Sequence, residues 1–460
     1  MPHVIPRFAG SVIGPRDAGY NAHREVWNAM VDRRPALIAR CTSATDVAAA
    51  IGYARERHLD IGVKCGGHSV LGLSVPHEGL MIDLTPMSDV RVDADARQAS
   101  VGGGALLRFL DQAAQTHGLA TTAGNVSHTG VGGLTLGGGM GWLARQVGLA
   151  CDNVDAYTVV TADGEILRAT AGDHADLFWG LRGGGGNFGV VTEFEFRLHP
   201  VAGHALVVEL SFDAAEALEP MRRWRGLLPD APRQATLTAD AFTVDGRPMV
   251  SIGYVWVGDP DEGMAYLTTM RTIGQPRDES VQPMSYLALQ SIGDDNHVHG
   301  KRRYSAGHYL TGLSDAAIEA FLGRGAADGA DWTSVAGGGF QAYGGAIAEV
   351  ANEDSAFSHR DAVVEFFAGS SWTDPAEDED RMAAARAYGA ALAPFASGVY
   401  VNVLHDEGAE GVRRAYGDAK LAKLSGLKRR YDPDNVFHLN QNIVPSEEDA
   451  YLDAEGSVAT

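Results

Sequence analysis

The chain has 460 residues, a hydrophobic fraction of 45% and a formal net charge of −22, with a pI near 5.1. That length exceeds what a single hydrophobic core organises, so two substantial domains are expected. The acidic balance excludes unaided binding to nucleic acid or to an anionic membrane surface, both of which need a basic patch.

The three cysteines, Cys41, Cys65 and Cys151, have no CxxC spacing and exclude both a disulfide scaffold and a thiolate zinc cluster. The segment 1–7 has no signal-peptide core, and no later stretch is apolar for long enough to span a bilayer. A cytoplasmic protein is the expectation.

The first predicted helix covers 42–60, with Thr42 or Ser43 as cap and Val47, Ile51 and Ala54 at helical spacing. A short strand, Ile61 to Val63, then runs into the turn Lys64-Cys65-Gly66-Gly67-His68-Ser69. Two glycines beside a histidine let backbone approach a planar or phosphorylated ligand while the imidazole is held at a fixed distance from it. A strand over 79–84 and a helix over 105–115, stopped by Gly118, follow.

The densest glycine stretch covers 124–148. Beyond it, apolar runs at 156–161 and 165–168 flank Asp163-Gly164, a hairpin signature. A third glycine block, 182–189, opens onto a β-rich run at 190–196. Backbone N–H groups in such loops form concave anion sites, which in an acidic protein can hold a pyrophosphate without a lysine cluster. The rival is a Rossmann fingerprint, since Gly139-Met140-Gly141-Trp142-Leu143-Ala144 fits GxGxxG/A, but no clean buried strand precedes it.

After residue 200 the pattern changes to strands of period two, such as 249–257, where Val250, Ile252, Tyr254 and Trp256 share one face. Helices over 214–225 and 380–392 separate such strands, which predicts an antiparallel sheet covered on one side. A basic amphipathic helix over 415–430 precedes Tyr431-Asp432-Pro433 and Asn440-Gln441-Asn442, and the polar tail 446–460 is expected to be loose. Aromatic and polar candidates for a substrate cleft are Tyr304, His308, Phe340, Tyr343, Trp372, Tyr400 and Asn402. His297 and His299, beside Asp294 and Asp295, read as part of a polar turn, and no metal site is expected.

Taken together, Gly66-Gly67-His68-Ser69, the run 124–139, Asp152-Asn153-Val154, the run 176–192 and Tyr431-Asp432-Pro433 through Asn442 resemble one family. It is the vanillyl-alcohol-oxidase superfamily with its PCMH-type FAD-binding domain, and within it the berberine-bridge-enzyme-like oxidases, nearest the bacterial 6-hydroxy-D-nicotine-oxidase-like subgroup. The resemblance implies an α+β fold: a two-part FAD-binding domain over 1–201, a substrate domain over 202–410 with an antiparallel sheet under helices, and a C-terminal segment, 411–460, returning to the FAD domain.

It also implies FAD bound covalently through His68. The cofactor contacts it implies are Lys64, Cys65, Gly66, Gly67, Ser69, Gly124, Val126, Ser127, His128, Gly130, Gly133, Gly137, Gly138, Gly141, Gly189, Val191, Asn440 and Asn442. Many relatives attach the flavin a second time through a cysteine aligned with Val126. Valine cannot form that bond, so a single tether is expected. Cys65 is then either a small buried residue or a second linkage site, and His128 either a substrate-facing acid or base or a structural hydrogen-bonding group.

Thr129 stands where a small residue leaves dioxygen a path to the flavin, which favours an oxidase. Tyr400, Asn402, Tyr343, His308 and Thr129 are the catalytic candidates. The implied activity is hydride transfer from a C–H next to an amine or hydroxyl of a small-molecule substrate, with O2 reoxidising the flavin to give H2O2, in a monomer or homodimer. A flavin-dependent tailoring enzyme and a non-catalytic flavin-binding protein are the alternatives.

Overall fold

The computed structural model describes residues 4–447, so the predicted loose tail from 448 onward lies outside the described residues. Among the described residues three large sheets organise the fold, beside a two-stranded pair of Leu119–Ala120 with His199–Pro200. The first is four-stranded, in the order Ser11–Ile13, Leu37–Arg40, Leu80–Asp83, Ile61–Lys64, antiparallel at its first pair and parallel beyond it. Helix Ala44–Glu56 covers it, and Val47, Ala50, Ile51 and Ala54 pack with Leu37, Ala39, Ile61 and Ile82. The helix starts at Ser43, whose hydroxyl accepts from the Asp46 N–H at 3.2 Å, as the capping residues predict. It ends earlier than 60 because Arg57 and His58 leave helical geometry, His58 with φ 53°.

The second sheet is antiparallel and five-stranded, in the order Val90–Asp93, Gln98–Gly102, Val190–Arg197, Val154–Val160, Ile166–Thr170. Its last two strands form the hairpin expected around Asp163-Gly164. The seven-stranded third sheet is wholly antiparallel, in the order Asp278–Ser285, His204–Asp213, Arg247–Val257, Ala235–Val244, Gly337–Ala342, Val364–Trp372, Arg302–Leu310.

Period-two alternation gives the third sheet two unlike faces. Leu206, Val208, Val250, Ile252, Tyr254, Phe340 and Phe366 belong to one core with residues of helices Leu218–Leu227, Pro260–Met270, Asp315–Gly323 and Asp378–Leu392. The residues between them form a register row across the other face, Glu209, Gly253, Thr238, Gln341, Glu365 and Tyr309. Thr238, Gln341 and Glu365 of that row line the central cavity. The expected antiparallel sheet with helices on one side is therefore present.

Two further helices depart from expectation. The 214–225 segment divides into a 3-10 turn, Ala214–Glu216, and a helix, Leu218–Leu227. The basic helix expected over 415–430 is two helices, Gly408–Tyr416 and Asp418–Tyr431, and its Lys428 is fully buried. Gly417 separates them at φ 72° and ψ 159°, a region essentially restricted to glycine. Gly417→Ala is expected to lower stability by about 1–3 kcal/mol, read from the urea unfolding midpoint. Among the described residues no helix is long and apolar enough to cross a membrane.

Candidate active site

A cavity of about 680 Å³ lies among the three glycine loops, the open face of the seven-stranded sheet and the C-terminal segment. Of the candidate cofactor contacts, Cys65, Gly66, Gly67, His68, Ser69, Gly124, Val126, Gly130, Gly133, Gly189, Val191 and Asn440 line it. The loops can meet only because side chains are absent. A Cβ on Gly66 would collide with the Gly130 backbone, and one on Gly130 with Gly66 and the Cys65 sulfur. Gly67 takes φ 67° at the turn and so presents His68 to the cavity.

The other candidate contacts have supporting places. Lys64 turns its ammonium to the carbonyls of His23 and Glu25 at 2.6 and 2.8 Å. Ser127 bonds the Asp294 carboxylate through both N–H and hydroxyl, at 2.9 and 2.6 Å. Gly137 makes room for Asn402, Gly138 for Phe357 and Tyr400, and Gly141 for the Ala123 carbonyl. A helix, Val131–Leu136, precedes Gly139 where a Rossmann site would have a strand. Cys65 donates to the Ala105 carbonyl at 3.3 Å and burial pushes its thiol up to about 11, the state of a small packed residue and not of a thiolate.

His68 is held on several sides. Its Nε2 lies 2.7 Å from His128 Nδ1, and its Nδ1 lies 3.4 Å from the Thr129 hydroxyl. The Trp27 indole stacks on it with ring centroids 4.9 Å apart and planes at 14°, and the Arg303 guanidinium lies 4.2 Å over Trp27. Burial, and then the neighbouring histidines and Arg303, push the His68 pKa down to about 2, which favours the neutral ring.

The loop holding His297 and His299 is more than the polar turn expected from sequence. Its Asp294 docks on Ser127, and His299 joins His68 and His128 in a cluster whose donor nitrogens lie within 4.8 Å of one another. Nitrogens around one zinc ion stand about 3.4 Å apart, given Zn–N bonds of roughly 2.0–2.1 Å, so the three rings would have to draw together to hold a metal.

Tyr400 and Asn402, at the 3-10 turn Val401–Val403, and Thr129, in the second glycine loop, line the cavity. The Tyr400 oxygen accepts from the Gly139 N–H at 2.9 Å and from Asn402 Nδ2 at 2.8 Å. Tyr343 stands one layer back, donating to Glu365 Oε2 at 2.8 Å and meeting the Tyr309 hydroxyl at 3.1 Å. His308 is a correction. Its place in the strand turns it to the helix-covered face, where Nε2 meets the Gly389 carbonyl at 2.8 Å and Nδ1 meets Arg414 at 2.9 Å. Tyr304, bonded to Asp406, and Trp372, bonded to Asp378, also point away from the cavity, whereas Phe340 is among its lining residues, with its ring stacked on Phe321.

Glu365 was not singled out from the sequence. It lines the cavity, and burial pushes its carboxyl up to about 7 against the opposing Tyr343 hydrogen bond. The available signal was a lone acid within the apolar run Val364-Glu365-Phe366-Phe367. Such a residue is expensive to bury unless something uses it.

An FAD binding domain model matches residues 35–170, and a model described as berberine and berberine like matches 399–444. The (R)-6-hydroxynicotine oxidase of Paenarthrobacter nicotinovorans is 30% identical over 462 residues, covering 95% of this chain and 97% of that protein. The chain is a berberine-bridge-like FAD-linked oxidoreductase. The fold agrees: the crystal structure of 6-hydroxy-D-nicotine oxidase from Arthrobacter nicotinovorans superposes with a TM-score of 0.86 at 28% identity, over 95% of this chain and 98% of the other. A glucooligosaccharide oxidase from Acremonium strictum, described as carrying 6-S-cysteinyl, 8α-N1-histidyl FAD, shares the fold at 24% identity with a TM-score of 0.85, covering 95% and 97%.

The cavity of this berberine-bridge-like oxidoreductase fits a dinucleotide. No lysine or arginine is among its lining residues, so phosphates would be met by loop N–H groups. Asn125 Oδ1, Gln341 Nε2 and Asn440 Oδ1 belong to lining residues yet are buried without a partner, and Asn442 Oδ1 is a further buried oxygen of this kind. Unpaired buried polar atoms around one cavity are what a polar ligand would satisfy.

Proposed function

We propose that this FAD-linked oxidoreductase is an oxidase acting on a C–H next to an amine or hydroxyl of a small organic substrate. In this reading the flavin is tethered once, through His68, and reoxidised by O2 with release of H2O2. The observation that carries it is Glu365, a buried carboxyl held near pKa 7 at the cavity wall opposite the cofactor loops. A base with that pKa is suited to take the amine or hydroxyl proton at neutral pH.

Bound FAD supplies the hydride acceptor. Tyr343 fixes the Glu365 carboxyl by donating to it. Tyr400, whose oxygen already accepts two hydrogen bonds, keeps its own proton for a substrate heteroatom. Asn402 holds Tyr400 in place, and Thr129 keeps the wall beside His68 small. Val126 lines the cavity where a second, cysteinyl tether would need a sulfur. Residues 1–201 with 411–460 serve as the cofactor half, and 202–410 as the substrate half.

The test has two arms. Acid-denatured protein should keep the yellow chromophore on the peptide containing His68, and free FAD in the supernatant would remove the tether. Anaerobic addition of amines, alcohols and oligosaccharides should bleach the flavin with at least one of them, and air should then return the colour with stoichiometric peroxide. A flavin that none of these classes reduces would rule out the oxidase reading.

A further inference from the structure

We infer that His128 is the proton acceptor that lets His68 form its bond to the flavin. The inference rests on the reading of His68 as the tether and goes beyond it by assigning how the tether is made. Two neutral imidazoles 2.7 Å apart share one proton between them, one nitrogen donating and the other accepting. With His68 Nε2–H donating to His128 Nδ1, the lone pair of His68 lies on Nδ1, where its neighbour is the Thr129 hydroxyl at a loose 3.4 Å. In that tautomer, the one the inference requires, the other nitrogen is free to act as nucleophile.

Bond formation would leave His68 cationic unless its N–H proton departs. The surroundings oppose a cation there: the site is largely buried, other imidazoles crowd it, and Arg303 lies beyond Trp27. His128, 2.7 Å away, is the group placed to take that proton. Burial, the largest influence, holds the His128 pKa below the usual histidine range, and the Asp294 carboxylate, anchored on the adjoining Ser127, works against it by favouring the charged form. His299, its ring centroid 5.3 Å from that of His128, is exposed and marks the way out to solvent.

The step balances. An N–C bond forms between His68 and the 8α carbon of the flavin, one C–H and one N–H proton are lost, and two electrons pass through the flavin to O2, giving H2O2. His128 takes the N–H proton. It is therefore a positioning and proton-accepting residue for cofactor attachment and has no assigned part in substrate turnover.

The test uses full-length protein made in a riboflavin-limited host and then incubated with FAD in air. Covalent incorporation is followed by flavin fluorescence of the denatured chain and by intact mass, and non-covalent binding by the flavin that co-elutes before denaturation. His128→Ala and His128→Gln should bind FAD yet attach it about 10²-fold more slowly or worse, by the usual size of a general-base effect. Added imidazole should restore the rate in His128→Ala but not in His68→Ala.

Attachment at the wild-type rate in both His128 variants would overturn the inference. So would loss of non-covalent FAD binding in both, which would make His128 part of the binding scaffold. If His68→Ala keeps covalent flavin, or the wild-type chain never acquires it, the tether reading itself fails, a result distinct from slow attachment at an intact His68.

Discussion

Glu365→Gln is expected to slow substrate-driven flavin reduction by about 10²–10⁴-fold, the range of a lost general base. Flavin content and the unfolding midpoint should stay close to wild type, because glutamine keeps the shape and an oxygen to accept from Tyr343. Anaerobic stopped-flow at the flavin absorbance band measures the effect directly. A variant reduced at the wild-type rate would remove Glu365 from the chemistry and return attention to Tyr400.

The pH dependence follows from the same group. Burial raises the Glu365 carboxyl to about 7, and the base works only when ionised. The reductive rate constant should therefore rise with pH through about 7 and level off above it, and this limb should vanish in Glu365→Gln. The Tyr343 hydrogen bond acts to lower that pKa. Tyr343→Phe should accordingly move the limb to higher pH while leaving the plateau nearly in place. A limb that stays put in Tyr343→Phe would mean that the titrating group is another one.

The cofactor half was legible because its constraints are local. Gly66, Gly67 and His68 sit in one turn, and the hairpin at Asp163-Gly164 is defined by a two-residue signal. The capping of helix Ala44–Glu56 by Ser43 is likewise local. The substrate half was legible only as a pattern. Period two showed that Val250 and Ile252 share a face, but which face meets the cavity depends on where the helices lie. That is why His308, one residue out of phase with Tyr309, was placed on the wrong side. Glu365 was missed for the same reason, since in sequence it is one acid in an apolar strand. The cluster of His68, His128 and His299 needed tertiary structure, because its members come from loops separated by up to 231 positions in the numbering.

Lys428→Met is expected to destabilise the protein by about 3–5 kcal/mol, the range for breaking a buried ion pair by removing one partner. Lys428 and Asp432 are both fully buried, with Nζ 2.6 Å from Oδ2. The ammonium also donates to the carbonyls of Asn187 and Phe437, at 2.8 and 3.0 Å, so all three of its protons are used. The carboxylate in turn accepts from the N–H groups of Val436 and Phe437. The pair thereby ties the end of helix Asp418–Tyr431 to the third glycine loop, and Asn187 extends the tie by bonding the Gln441 carbonyl and the Ile443 N–H.

Asn187, Phe437, Asn440 and Gln441 all line the cavity. The variant should therefore lose flavin affinity along with stability, which a surface lysine change would not do. Urea unfolding monitored with and without bound flavin separates the two effects. The double change Lys428→Met with Asp432→Leu should recover part of the lost stability, because no uncompensated charge is left inside. It should not recover the loop contacts, since methionine cannot donate to Asn187 or Phe437. Stability within 1 kcal/mol of wild type in Lys428→Met would mean that water reaches Asp432 and that the C-terminal segment is held by its apolar contacts alone.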